Sequence, residues 1–170
     1  MKKQSKYLSY LLRHSDIAIK NDGWVDMSTV MLKMKENFRD FSRSDLISIV
    51  DNDEKNRYKI DLHKNLIRAN QGHSIKVNIE FEEKTPSQYL YHGTKSSNLE
   101  SIFKNGILKG NRNYVHLSSD IETANIVANR RNGKSVILEI DTTLCKNPFY
   151  LSDNNVWLCD YIESTAIRIL

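Results

Sequence analysis

Cysteine is scarce. The 170-residue chain holds two, Cys145 and Cys159, too few for a disulfide framework, and neither sits in a CxxC or paired Cys/His spacing of the kind a zinc site requires. Proline (2) and glycine (6) are also few, which excludes a collagen-like or low-complexity chain. No run approaches the roughly 18 apolar residues of a membrane span. Met1-Lys-Lys-Gln-Ser-Lys6 leads straight into an amphipathic pattern with no apolar core of a secretory signal. A soluble, cytoplasmic protein with no membrane partner is therefore expected. Hydrophobic residues make up 39% and charged residues 27%, a balance that builds a core and argues against disorder. The net charge of +4 permits a polyanionic partner without demanding one. The length fits one domain or two small lobes.

Helical spacing of Tyr7, Leu8, Leu11 and Leu12 predicts a helix from Ser5 to His14. Gly23-Trp24 breaks it, and Asp26 or Ser28 can cap a second helix through Val30, Met31 and Met34. Ser42-Arg-Ser-Asp45 resembles a capping box opening a third helix through Leu46, Ile47, Ile49 and Val50. The period then changes: Arg57 to Leu62 alternates, His63-Lys-Asn65 is polar, and Leu66-Ile67-Arg68 resumes a strand, which together predict a β-hairpin. Three helices followed by a hairpin are the elements of a winged helix, which serves nucleic-acid binding and protein contacts alike. Glu82 to Ser87 reads as a seam. Beyond it strands are expected at 88–92, 114–117, 135–140, 149–151, 156–159 and 166–169. Ser97-Asn-Leu-Glu100 and Ser119-Asp-Ile-Glu122 are expected to cap two helices, the first ended by Gly106. The fold class is α+β, with a mostly antiparallel sheet in the second half.

Arg13-His14 closes the first helix, where a basic pair offsets the helix dipole. Arg57 opens a strand, and Arg112 stands in the loop Gly110-Asn-Arg-Asn-Tyr114. Each alone is as ordinary as any surface cation. The stretch Ile67-Arg-Ala-Asn-Gln-Gly-His-Ser74 is less so. Gly72 at a strand end allows a positive φ or a close backbone approach to a ligand, with His73 and Ser74 beside it; a turn with a solvent-exposed His is the other reading. Tyr91-His-Gly-Thr94 and Val115-His-Leu-Ser118 each end a strand before a capped helix. A His and backbone atoms next to a Gly can hold a ribose hydroxyl and a carboxamide.

The ordered set runs from Ser5-Lys-Tyr-Leu-Ser-Tyr-Leu-Leu-Arg-His14 through Gly23-Trp24, Asn56-Arg-Tyr58 and Ile67–Ser74 to Lys84-Thr-Pro86. It continues with Tyr89-Leu-Tyr-His-Gly-Thr94, Arg112, Tyr114-Val-His-Leu-Ser118 and Asn155-Val-Trp-Leu158. Over nearly its whole length the chain resembles the NAD-dependent RNA 2′-phosphotransferase family in its bacterial form. The resemblance implies a winged-helix, RNA-binding lobe over 1–82 and an ADP-ribosyltransferase-like, NAD-binding lobe over 88–170. It carries the family's catalytic set onto Arg13, His14, Arg57 and Arg112, and its NAD-binding triad onto His92, His116 and Val156. Gly93, Thr94 and Ser118 join the NAD set, and Arg68, His73 and Ser74 are assigned as substrate or seam contacts. Asn56-Arg-Tyr58 departs from the usual Lys/Gln-Arg-Phe, and Asn113 follows Arg112 where His is frequent.

The implied reaction removes an internal RNA 2′-phosphate in two steps. The phosphate attacks the nicotinamide-bearing ribose carbon of NAD, and nicotinamide leaves. The adjacent 2″-hydroxyl of the resulting RNA-2′-phospho-ADP-ribose then attacks phosphorus, releasing RNA and ADP-ribose 1″,2″-cyclic phosphate. A phosphate monoester has a second pKa near ~6 and needs no base at neutral pH. Val156 fits that nucleophile, since a carboxylate there would repel a dianion. Guanidinium groups offer bidentate donors to the phosphate oxygens in the second step, so no metal is expected. His14 is suited either to a hydrogen bond to the phosphate or to the proton of the 2″-hydroxyl. RNA and NAD are the partners this implies, with the protein a monomer. Two other functions share these features: an ADP-ribosyltransferase that caps terminal phosphates of RNA or DNA, and a non-catalytic winged-helix RNA-binding protein.

Overall fold

A computed structural model describes residues 2–170; Met1, the expected start of the first lobe, lies outside the described residues. The chain divides into two compact units, one up to Glu80 and one from Phe81 to Leu170. Among the described residues there are five α-helices, short 3-10 turns and antiparallel sheets, an α and β mixture as the sequence suggests.

The first unit opens with α1 (Lys2–His14), which begins three residues ahead of the expected Ser5 and buries Leu8, Leu11 and Leu12. Next come β1 (Val25–Asp26), α2 (Met27–Asn37) and α3 (Arg43–Asp51). Asp26, not Ser28, caps α2: its carboxylate accepts from the Ser28 N–H at 2.7 Å. Ser42 and Asp45 form a complete capping box on α3, in which each side chain accepts from the other's backbone N–H. The hairpin is β2 (Tyr58–Asp61) and β3 (Leu66–Ala69), and Asn65 at its turn takes φ 56°. Strand β1 pairs on the far side of β3, giving the order β1-β3-β2. Leu8, Leu12, Val30, Met34, Leu46 and Ile67 are fully buried at the centre of this unit.

The second unit contains β4 (Glu82–Glu83), β5 (Tyr89–Lys95), α4 (Leu99–Asn105), β6 (Ile107–Leu108), β7 (Val115–Leu117) and α5 (Ile121–Ala128). It continues with β8 (Ser135–Asp141), β9 (Tyr150–Leu151), β10 (Trp157–Cys159), β11 (Tyr161–Ile162) and β12 (Ile167–Ile169). Its sheets run β12-β8-β5, β4-β9-β10-β7 and β11-β6. Between the first two, Tyr91 of β5 and Ser118 just past β7 exchange both backbone hydrogen bonds, at 2.9 and 2.8 Å.

Three expectations are corrected here. Residues 82–87 are not a seam outside both units, because Glu82 and Glu83 pair with Leu151 and Tyr150 and the Lys84 N–H donates to Phe149. Ser97 does not cap α4: residues 96–98 form a 3-10 turn, and Asn98, whose amide bonds Thr94 Oγ1 at 3.1 Å, precedes the helix. Asp120, one residue after Ser119, caps α5 by accepting from the Thr123 N–H at 2.7 Å. Gly106 ends α4 with φ 78°, as expected.

Candidate active site

Arg13 and His14 stand at the C-terminus of α1, where the last backbone carbonyls have no partner within the helix. The Ser74 N–H satisfies one of them, donating to the Arg13 carbonyl at 3.0 Å. The Ser74 hydroxyl lies 2.8 Å from His14 Nδ1. Segment 71–74 is thereby stitched to the end of α1, and the turn that brings it there passes through Gly72 at φ 88°, in the region that glycine enters without steric cost. Ser74 thus fixes the orientation of the His14 ring.

His73, between them, is 2% exposed, so the reading of a solvent-exposed turn histidine is overturned. Burial, then the charges of Arg13, His14 and Arg68, pushes its pKa down to about 4. It is a neutral imidazole among cations. Arg68 itself lies with its guanidinium 4.9 Å from the centre of the Trp24 ring, a cation–π contact.

Arg57 is held more firmly still. Its Nε and Nη2 donate to Asp53 Oδ1 at 2.9 and 2.7 Å, and its backbone N–H donates to Oδ2 at 2.6 Å. Nη2 also reaches Ser5 Oγ at 3.3 Å, and the Tyr58 hydroxyl donates to the Ser5 carbonyl at 2.9 Å. Nη1 takes no part in these bonds. Asp53 is 7% exposed. Burial pushes its carboxyl up, but the bonds and charge from Arg57 outweigh that and hold it below its ordinary value. His14, Asp53 and Arg57 line one groove of about 740 Å³ with Lys2, Lys6 and Tyr10. Of the sequence-predicted site residues in this unit, the structure therefore brings His14 and Arg57 to one groove, and Arg13, His73 and Ser74 around His14.

In the second unit, His92 on β5 has its Nδ1 3.0 Å from the His116 carbonyl. A carbonyl only accepts, so Nδ1 carries the proton and Nε2 presents a lone pair. Burial lowers the His92 pKa against the opposing effect of this bond, and the ring is neutral. The Tyr91–Ser118 backbone pair sets this register. Thr94 is buried, its hydroxyl taken by Asn98. Gly93 has a packing reason: a Cβ there would lie 2.0 Å from the Ala124 carbonyl of α5. Val156 precedes β10, its N–H donating to Ser152 Oγ and its carbonyl accepting from the Ser152 N–H, both at 3.0 Å. Arg112 is in the loop before β7, where desolvation and then Arg131 and Arg130 lower its pKa; a guanidinium nonetheless stays charged at neutral pH.

Asp53 escaped the sequence reading because it lies in the turn between α3 and β2, where the four-residue ion-pair spacing of a helix face gives no signal. Ser74 was singled out, but its contact with His14 joins positions 60 residues apart and leaves no local trace. Among the described residues no three His, Cys, Asp or Glu side chains gather as a metal site, and no helix is long and apolar enough to cross a membrane.

The model of the RNA 2'-phosphotransferase, Tpt1 / KptA family matches residues 1–161. A protein of Fusobacterium nucleatum subsp. nucleatum named "Probable RNA 2'-phosphotransferase" is 44% identical over 98% of this chain and 97% of its own length. Proteins of the same name from Rhizobium leguminosarum bv. trifolii and Trichormus variabilis are 42% and 39% identical, over 98% and 99% of this chain and 91% and 96% of theirs.

Proposed function

Since the chain belongs to the RNA 2′-phosphotransferase family, we propose that it removes an internal 2′-phosphate from RNA by transferring it to NAD, its second substrate. The reaction proceeds in two steps through RNA-2′-phospho-ADP-ribose and yields nicotinamide and ADP-ribose 1″,2″-cyclic phosphate. In this reading the first unit, with three helices and a three-stranded sheet, is a winged-helix lobe that binds RNA. The second is an ADP-ribosyltransferase-like lobe that binds NAD.

The observation that carries the reading is the fixed placement of Arg57 in a groove it shares with His14. Asp53 engages Nε and Nη2, so the Nη1 edge is the pre-oriented donor for a phosphate oxygen and loses no rotamer freedom on binding. His14, oriented by Ser74, lines the same groove and serves the phosphate or the 2″-hydroxyl proton. Arg13, next to His14 in the chain, adds positive charge on the same unit, and Arg112 is carried as the fourth member of the catalytic set by the family resemblance. NAD supplies the electrophilic ribose carbon when bound. The donor set of the second unit fits a ribose and carboxamide: His92 Nε2 is an acceptor for a hydroxyl or amide proton, and the backbone of Gly93 and the Thr94, His116 and Ser118 positions lie on the paired strand ends beside it. Val156 brings no negative charge to meet the phosphate.

The test is incubation of an end-labelled oligonucleotide carrying one internal 2′-phosphate with NAD. Loss of the phosphate supports the reading. Arg57→Ala and Arg112→Ala, each removing one donor, slow turnover about 10²–10³-fold and accumulate RNA-2′-phospho-ADP-ribose, because the charged phosphodiester is the obstacle of the second step. ADP-ribose retained on RNA by the unmodified protein points instead to terminal-phosphate capping, and an untouched oligonucleotide to RNA binding alone.

A further inference from the structure

The polar face of α1 carries more than the groove's phosphate donors require. Lys2, Lys6, Tyr10 and His14 recur every four residues, which places them in one row along the helix. All four line the groove with Arg57. At 1.5 Å per residue the row from Lys2 to His14 extends about 18 Å, several times the ~3.4 Å stacked repeat of one nucleic-acid strand. Tyr10 is 51% exposed, yet its ring is flanked on the helix. Tyr7 stacks on it at 6.2 Å between centroids, and the His14 ring lies at 6.4 Å. Tyr7 is in turn braced edge-on by Phe38 at 5.9 Å. An exposed aromatic of this kind has a fixed plane and an uncovered surface. The charge around it is of one sign, since the one acid lining the groove, Asp53, is neutralised by Arg57.

A cationic groove with an ordered aromatic ring is the arrangement that holds single-stranded nucleic acid, phosphates on the lysines and a base on the ring. Resting on the reading above, we propose that Tyr10 is the stacking platform for the base of a nucleotide adjoining the phosphorylated one. Lys6 and Lys2 hold the phosphates that follow along α1, so the substrate is an unpaired segment of RNA. A base inside an A-form duplex has both faces covered by its neighbours and offers nothing to Tyr10.

The test measures binding by fluorescence anisotropy of a dye-labelled single-stranded RNA with one internal 2′-phosphate, and of the same strand annealed to its complement. The full chain binds the single strand, and annealing weakens binding about tenfold or more. Tyr10→Ala loses about 5- to 150-fold in single-strand affinity, the range for one stacked base, and Tyr10→Trp restores it. The double variant Lys2→Ala/Lys6→Ala flattens the slope of log affinity against log salt by about 1.4, at roughly 0.7 per phosphate contact. Thermal melts of each variant separate these effects from unfolding. Equal affinity for duplex and single strand overturns the proposal, as does Tyr10→Ala binding within twofold of the unmodified protein. Phosphate removal is followed on the same RNA in parallel. Tight, Tyr10-dependent binding without phosphate loss overturns the proposed reaction and leaves the stacking site standing.

Discussion

His92 donates its Nδ1 proton to the backbone carbonyl of His116 at 3.0 Å, and this one bond decides what the imidazole can offer a ligand. With Nδ1 committed, Nε2 is an acceptor, and burial keeps the ring neutral. Substitution by Ala removes the acceptor, and KM for NAD should rise about 3- to 10-fold, the worth of one hydrogen bond. His92→Gln should recover part of it. Because its pKa is lowered, His92 should leave KM for NAD flat across neutral pH; a KM that climbs as the pH falls from 7 toward 6 would count against this assignment.

Asp53→Asn separates positioning from charge. Removing the carboxylate makes the groove more positive, so affinity for RNA should hold or improve. Loss of the charge-assisted clamp on Arg57 should nonetheless cut kcat by about 10-fold or more. Steady-state kinetics at fixed salt reads the split. A rise in KM for RNA with kcat intact would show that Asp53 does not act through the placement of Arg57.

Ser74→Ala should lower kcat about 3- to 10-fold by freeing the His14 ring, and Ser74→Thr, which keeps the hydroxyl, should retain activity. Equal losses in the two variants would point to the backbone of segment 71–74 rather than to the hydroxyl contact.

The acid limb of stability should have two parts. Burial and the neighbouring charges push the His73 pKa down to about 4, from the ordinary histidine value of 6.5. Between those values the unfolded chain binds the extra proton, so stability falls as the pH drops from 6.5 to 4. Asp53 has the opposite charge type but the same direction. Its depressed pKa contributes stability that is present above the ordinary carboxyl value of 3.8 and lost as the pH falls through the folded value. Melting temperature should therefore decline through both ranges, less steeply between pH 6.5 and 4 in His73→Gln, where the buried His92 still contributes, and less steeply below that in Asp53→Asn, where Asp26, Asp45 and Asp141 still contribute. A His73→Gln profile parallel to the unmodified one between pH 6.5 and 4 would contradict the first assignment.

Gly93→Ala should destabilise the second unit by about 1–3 kcal/mol or more, the usual range for overpacking, because the added carbon meets the Ala124 carbonyl and the Ala128 N–H of α5 at 2.0 and 2.9 Å. Chemical denaturation measures it. An unchanged midpoint would show that α5 yields at no cost.

Local chemistry was legible in the sequence, and contacts across the chain were not. The Ser42–Asp45 capping box was readable because both partners lie within one turn. The Ser97–Glu100 pattern misled because Thr94 draws Asn98 aside and a 3-10 turn intervenes. Strands β1, β6 and β11 have two residues each, too few to show a period. At the site, the family resemblance named Arg13, His14, Arg57 and His92, yet what orients three of them is nonlocal or unremarked: Ser74 for His14, the His116 carbonyl for His92, and Asp53 for Arg57. His73 could be read either as a donor beside Gly72 or as an exposed turn residue, and only the packed fold reveals it as a buried neutral ring.

The central claim, that the 2′-phosphate passes to NAD, is tested most directly by counting nicotinamide against RNA 2′-phosphate lost in the same reaction. The account predicts one nicotinamide per phosphate removed, no reaction without NAD, and ADP-ribose 1″,2″-cyclic phosphate as the phosphate-bearing product. Phosphate released as the inorganic ion without nicotinamide would contradict it.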